Sequence, residues 1–231
     1  YNLMQINRTN WFNKNEKWKK RYPICHADHI NQSYRVNPYF FFEKLGEILP
    51  SKSIIVTDCG SNLIWTMQSI IPKNGQRIIS AFNHSPMGYS LAAAIGAHYA
   101  EPDGPPIICI IGDGGFQINV QELAVINKHN LNIKIFVMNN HCHGIIQGTQ
   151  NAWLEGRHHA SCPNNGKLPD PDVKKIANAY DIPSEFIEDN KRIFPLLEKV
   201  FKDPNPKLID LNMLPKSQIE PKLMYGRSIE D

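Results

Sequence analysis

The run Ile107-Ile-Cys-Ile-Ile111 passes directly into Gly112-Asp113-Gly114-Gly115 and then into an amphipathic segment. A β-branched run, a glycine loop and a helical period together describe a strand, a tight turn and a helix start. Glycines at such a junction let backbone N–H groups approach an anion. The helix N-terminus adds unpaired donors and the positive end of a dipole, which favours phosphate. Asp113 inside that loop would repel phosphate, so its presence makes chemical sense if a cation lies between them. Magnesium is such an ion, a hard cation that takes oxygen ligands. Taken alone, Gly-Asp-Gly is more often a tight turn capped by aspartate. The second half of the pattern changes this reading. Twenty-four residues separate Gly114 from Asn139-Asn140, which close the next β-branched run. One helix and one strand return the chain to the same edge of a sheet, so Asp113 and Asn140 can offer two oxygens to one metal.

The elements that must position these residues follow from the hydrophobic pattern. Short β-branched runs at 53–57, 77–81, 106–111, 133–138 and 207–211 are candidate buried strands. Helical periodicity occupies 39–49, 62–71, 88–99, 117–129, 171–180 and 193–201, with Asn37-Pro38 as a cap and first-turn proline and Asn130 as a C-cap. Alternating strands and helices predict an α/β fold, a doubly wound, mostly parallel sheet of about six strands with helices on both faces. Ligands of such sheets bind beyond the carboxyl ends of the strands. The stretch 141–170 lacks steady periodicity and reads as a long mobile region over that end. The expected divisions are a tail of a preceding linker or middle domain at 1–34, the main domain at 35–212 and an extension at 213–231.

With the motif placed on strand, loop, helix and strand, the sequence resembles the thiamine diphosphate enzymes, whose signature is Gly-Asp-Gly followed at about this distance by Asn-Asn. Further resemblance to the acetolactate synthase-like branch lies in Asn37-Pro38, in Ile54 to Asn62, in Pro86-Met87-Gly88-Tyr89 with the alanine-rich helix after it, and in Gln121-Glu122-Leu123. It covers roughly residues 35–212 and corresponds to the C-terminal, pyrophosphate-binding domain. The resemblance implies thiamine diphosphate and magnesium as cofactors. It makes Asp113, Asn140 and the backbone carbonyl of Cys142 the metal ligands. Gly114 and Gly115 would donate N–H groups to the diphosphate, with Gly60, Ser61 and Asn62 approaching from an earlier loop and Gly144 from a later one. Met87 matches the apolar wedge that holds the cofactor bent, and the carbonyl of Ser85 would accept a bond from its amino group. His84 either faces the substrate, as a second catalytic candidate beside Met87, or sits on the surface. The implied activity is decarboxylation of a 2-keto acid such as pyruvate and ligation to a second carbonyl acceptor, the work of a transferase or lyase. The stretch 144–154 and the ending 225–231 look closest to acetolactate synthase-like proteins of surface-sugar biosynthesis.

Two departures from the family bear on the activity. Thr149 stands where acetolactate synthases proper carry a tryptophan, and Ile146 stands where simple decarboxylases place an acid. The first counts against classical acetolactate synthesis, and the second favours carbon–carbon ligation over release of a free aldehyde. The family also completes its site with a separate pyrimidine-binding domain, whose glutamate activates the cofactor, and some members bind flavin in a middle domain. Neither lies within these residues, so the isolated chain is expected to be inactive and to form a homo-oligomer or bind a partner carrying the pyrimidine domain. The competing class is a non-catalytic cofactor-binding or scaffold subunit.

Other readings are weaker. His141-Cys142-His143 with His158-His159 and Cys162 lacks the paired spacing of zinc sites. The glycine loop lacks the lysine of a nucleotide-binding P-loop. A net charge of +3 from 25 basic and 22 acidic residues is too small and scattered for nucleic acid, and the basic cluster 14–21 reads as a solvated helix face. No apolar run reaches the ~20 residues of a membrane span. Five cysteines without a CxxC pair and no charged-then-apolar leader fit reduced thiols in a cytoplasmic protein.

Overall fold

In the computed structural model, residues 8–221 are described. Chain order is α1 (Thr9–Arg21), α2 (Ala27–Ile30), α3 (Pro38–Ile48), β1 (Ile54–Thr57), α4 (Ser61–Ser69), β2 (Arg77–Ile79), α5 (Tyr89–Ala100) and β3 (Ile107–Gly112). It continues through α6 (Asp113–Ile118), α7 (Glu122–Lys128), β4 (Ile133–Asn139), α8 (Gly144–Trp153), α9 (Pro163–Gly166), α10 (Val173–Ala179), β5 (Ser184–Ile187), α11 (Ile193–Lys202) and β6 (Lys207–Asn212). The six strands form one sheet in the order β2-β1-β3-β4-β6-β5, every neighbouring pair parallel.

Alternation along each strand sends side chains into two separate cores. Ile108, Ile110 and Phe136 face one side, with Phe41, Leu45, Trp65 and Leu197 from α3, α4 and α11. Ile107, Cys109 and Ile111 face the other, with Leu91, Leu123 and Ala177 from α5, α7 and α10. Burial on both faces is why the strands read as continuous apolar runs and not as alternating ones. The chain leaves β1 outward to β2 and returns to start β3 on the other side of β1. The gap between β1 and β3 is therefore the topological switch point where ligands of such sheets bind.

The capping signals hold. The Asn37 side chain accepts from Tyr39 N and Phe40 N, with Pro38 in the first turn, and Asn130 takes a left-handed φ of 47° just beyond α7. Several boundaries differ from expectation. The sixth strand, β5, was not among the five runs; it is a short edge strand of which only Ile187 is buried. The run at 77–81 is a strand only over Arg77–Ile79. The helix expected over 117–129 is broken into α6 and α7, because Asn119 leaves the helix and its side chain donates to Gly88 O at 3.0 Å. The stretch 141–170 contains the ten-residue α8 and the short α9.

Within the expected tail, α1 and α2 form, and α1 buries no side chain, in keeping with a solvated basic face. Residues 213–221 fold back on the domain: Met213 pairs with Val36, and the Trp65 indole N–H donates to Gln218 O at 3.1 Å. The ending 225–231, singled out by resemblance, lies outside the described residues. Among the described residues, no helix is long and apolar enough to cross a membrane.

Candidate functional site

Strands β3 and β4 pair in register, Gly112 beside Met138, so the residues that follow them emerge together. Asp113 opens α6, and its carboxylate spans both loops. Oδ1 accepts from Gly114 N at 2.8 Å, and Oδ2 accepts from Cys142 N at 3.1 Å. Burial pushes the Asp113 carboxyl up to about 6, against the lowering effect of those N–H bonds. A carboxylate so placed is stabilised in its charged form by a cation. Asn140, buried just beyond the end of β4, lines the same cleft, and a Cβ on Gly144 would fall 2.9 Å from Asn140 Nδ2, so a larger residue there would make the amide shift.

These groups open onto a cleft of about 490 Å³ beyond the ends of β1, β3 and β4. From the β1 loop come Gly60, Ser61 and Asn62; from the β2–α5 loop, Ser85 and Met87; from the β3 and β4 loops, Asp113, Gly114, Gly115, Asn140, Cys142 and Gly144. All eleven expected cofactor residues thus share one cavity. His84 is not brought into it: the residue is exposed on the loop before Met87 and does not line the cleft. Ile146 lines the cleft, whereas Thr149 turns its hydroxyl onto Ile145 O at 3.2 Å and does not.

The floor is shaped for close approach. A Cβ on Gly114 would fall 2.6 Å from His143 Cε1 and 2.8 Å from Met87 Cε, and one on Gly115 would fall 2.1 Å from Asp58 Oδ2. The Asn62 side-chain amide is buried in the wall with no hydrogen-bond partner for Nδ2. An unpaired buried donor is costly, and a diphosphate oxygen is the kind of acceptor that would satisfy it. One oxygen-donor pair at Asp113 and Asn140, an orphan donor at Asn62 and glycine backbone between them fit a magnesium-bound diphosphate.

Two residues of the site were missed by pattern. Asp58, 1% exposed at the end of β1, accepts from Gly88 N at 3.0 Å and Ser90 N at 3.3 Å and so fixes the loop that carries Met87. Burial raises its carboxyl, and bonds from Gly88 and Ser90 oppose this. Its signal was its place one residue beyond a β-branched run. His143 lines the cleft over Gly114, and burial lowers its imidazole, which favours the neutral form; only its place three residues after Asn140 could have marked it. The rival metal reading of 141–143 is not supported by geometry. His141 Nδ1 turns away to Asp170 at 3.0 Å, and His158 Nε2 binds Asn151 Oδ1 at 2.8 Å. The Cys142 thiol, pushed up to about 12 by burial, donates to Pro215 O at 3.2 Å and is no nucleophile.

Comparison with known proteins agrees with this geometry. The family described as thiamine pyrophosphate enzyme, C-terminal TPP binding domain, matches residues 58–211. The acetolactate synthase large subunit of Cyanidium caldarium is 33% identical over 228 residues, covering 98% of this chain and 37% of that protein. The large subunit of Lactococcus lactis subsp. lactis is 29% identical over 229 residues, 97% of this chain and 38% of that protein. The chloroplastic acetolactate synthase 1 of Zea mays is 28% identical over 224 residues, 96% of this chain and 34% of that protein. The chain therefore spans little more than a third of the length of the relatives it matches. With the motif residues gathered in one cleft at the switch point, the chain belongs to the thiamine pyrophosphate enzymes, and what it contains is their C-terminal TPP binding domain.

Proposed function

We propose that this chain is the magnesium- and diphosphate-binding part of an acetolactate synthase-like enzyme that decarboxylates a 2-keto acid such as pyruvate and joins the remainder to a second carbonyl compound. The observation that carries the reading is the Asp113 carboxylate bridging the β3 and β4 loops beside Asn140, in the cleft that Met87 also lines.

Thiamine diphosphate, when bound, supplies the electron sink for cleavage next to a keto group. The chain's own residues hold and orient. Asp113, Asn140 and the Cys142 carbonyl would hold the magnesium ion, whose role is to anchor phosphate and not to activate water. Asn62 and the backbone of Gly114 and Gly115 would receive the diphosphate. Met87, locked from behind by Asp58 through Gly88, would press against the middle of the cofactor. Leu63, Ile64, Ile145 and Ile146 give the cleft an apolar wall, against which the apolar part of the cofactor would pack. An isoleucine at 146 offers no proton, which supports ligation over aldehyde release. The complete site would draw on a pyrimidine-binding domain outside these 231 residues, in an oligomer or a partner chain, and surface-sugar biosynthesis is the setting that the sequence of 144–154 suggests.

Calorimetric titration of the chain tests this reading. Thiamine diphosphate is expected to bind with magnesium present and to lose that binding when the metal is chelated; thiamine without its diphosphate is expected not to bind. Equal binding of thiamine and thiamine diphosphate would overturn it.

A further inference from the structure

We propose that His26, His29 and Glu220 form a binding site for a borderline transition-metal ion, zinc above all, which ties the segment before α3 to the segment after β6. The proposal is independent of the cofactor cleft. Among the described residues, these three are the one group of histidine, cysteine or carboxylate side chains whose ligand atoms converge, all within 4.8 Å of one another.

The arrangement follows from the local structure. His26 is the extended N-cap residue of α2 and His29 stands three residues on, in its only turn, which brings the two rings side by side. The rings stack with centroids 3.7 Å apart, and the His29 ring stacks in turn on Tyr39 at 4.7 Å. Stacking aims both Nε2 atoms at the same carboxylate oxygen: His29 Nε2 lies 3.4 Å and His26 Nε2 3.9 Å from Glu220 Oε2. Glu220 is held in place by its backbone, whose N–H donates to the Tyr39 hydroxyl, which itself donates to Gln68 Oε1 at 2.9 Å. Zinc–nitrogen bonds of about 2.0–2.1 Å in a tetrahedron set ligand atoms roughly 3.4 Å apart. The His29–Glu220 pair already has that spacing. Side chains of His26 and Glu220 are 42% and 54% exposed, so both are free to move, and the His26 ring must unstack from His29 and turn to bring one ion into the planes of both imidazoles.

Two imidazole nitrogens and one carboxylate oxygen suit zinc, cobalt or nickel, and not magnesium, which takes oxygen ligands in an octahedron. The neighbouring hollow of about 360 Å³, also lined by Asp28 and Gln32, has room for a water as fourth ligand. Proton bookkeeping is simple. His26 N approaches His29 Nδ1 at 3.5 Å, the limit of a hydrogen bond, so without metal the His29 proton sits on Nε2 and points at Glu220. On metal binding through Nε2 the ring's single proton transfers to Nδ1 through solvent, and that marginal contact is given up for a metal–nitrogen bond. The competing account is a hydrogen-bonded latch made of the same three groups, for which zinc is irrelevant.

The test is titration of the whole chain with zinc in the presence of a thiol-free reductant, and with cobalt as a spectroscopic probe. The proposal expects one zinc ion per chain and a loss of affinity of at least about tenfold in His26→Ala and in Glu220→Gln. It also expects the visible absorption of four-coordinate cobalt without a thiolate charge-transfer band, a reading that needs no variant. Asp113→Ala is expected to bind zinc as the wild type does, which separates this site from the cleft. Absence of stoichiometric binding, wild-type affinity in both variants, or a thiolate band would overturn it.

Discussion

The Asp113 carboxylate accepts the Cys142 backbone N–H at 3.1 Å, so the loop after β3 and the loop after β4 are joined by one buried acidic side chain that lines the cleft. In a metal-free chain that group is a poorly solvated charge. In a cofactor-loaded chain it would, on the proposed reading, be a metal ligand whose orientation is already set.

The first consequence is a pH dependence. The folded Asp113 carboxyl lies at about 6, above the value of 3.8 for the free side chain. A raised folded value means that the stability contribution is fully present below the unfolded value and is lost as pH rises through about 6. The metal-free chain should therefore lose on the order of 1–3 kcal/mol from this group between about pH 4 and 7, and Asp113→Asn should flatten that part of the profile. Urea melts across that range check it; an unchanged slope in the variant would assign the dependence elsewhere. Cofactor binding should run the other way and weaken below about pH 6, because the cation needs the ionised carboxylate.

The second concerns the floor of the cleft. A Cβ at Gly115 would lie 2.1 Å from Asp58 Oδ2, and Asp58 is pinned by Gly88 and Ser90. Gly115→Ala should destabilise by about 1–3 kcal/mol, the usual effect of overpacking. Gly46 lies within α3 with nothing within 4 Å of an added Cβ, and Gly46→Ala should stabilise by about 0.5–1 kcal/mol. Opposite shifts in thermal midpoint are expected; the same sign for both would contradict the packing described.

Much of this site was legible because its signals are local. Continuous β-branched runs at 107–111 and 133–138 report burial on both faces, and parallel strand ends then bring Asp113 and Asn140 together. Other features depend on contacts that no local pattern carries. Ser184–Ile187 is an edge strand with three half-exposed residues, so it lacks the apolar run of its neighbours. The break between α6 and α7 exists because Asn119 bonds to Gly88, thirty-one residues away. Asp58 looked like the end of a strand; its role appears only when α5 begins against it. The same holds for His143, whose ring meets Gly114 across two loops. His84 was placed by its nearness to Met87 in the chain, but the loop turns there, with Ser85 at φ 42°, and leaves the imidazole in solvent.

The third prediction is that these 231 residues alone do not turn over. Carbon dioxide release from pyruvate, with thiamine diphosphate and magnesium at high protein concentration, should match a protein-free control. Addition of a chain carrying a pyrimidine-binding domain is the expected way to restore it. Saturable release by the chain by itself would show that the cleft is complete without a second domain.

The central claim is that Asp113 and Asn140 share one cation that holds the diphosphate. Calorimetry of magnesium-dependent thiamine diphosphate binding to wild type, Asp113→Ala, Asn140→Ala and the double variant tests it most directly, with far-UV circular dichroism to confirm the fold. Because both side chains would serve the same ion, each single change should remove at least about tenfold in affinity, and the double variant should be far less than additive. Wild-type affinity in Asp113→Ala, with the fold intact, would contradict the account.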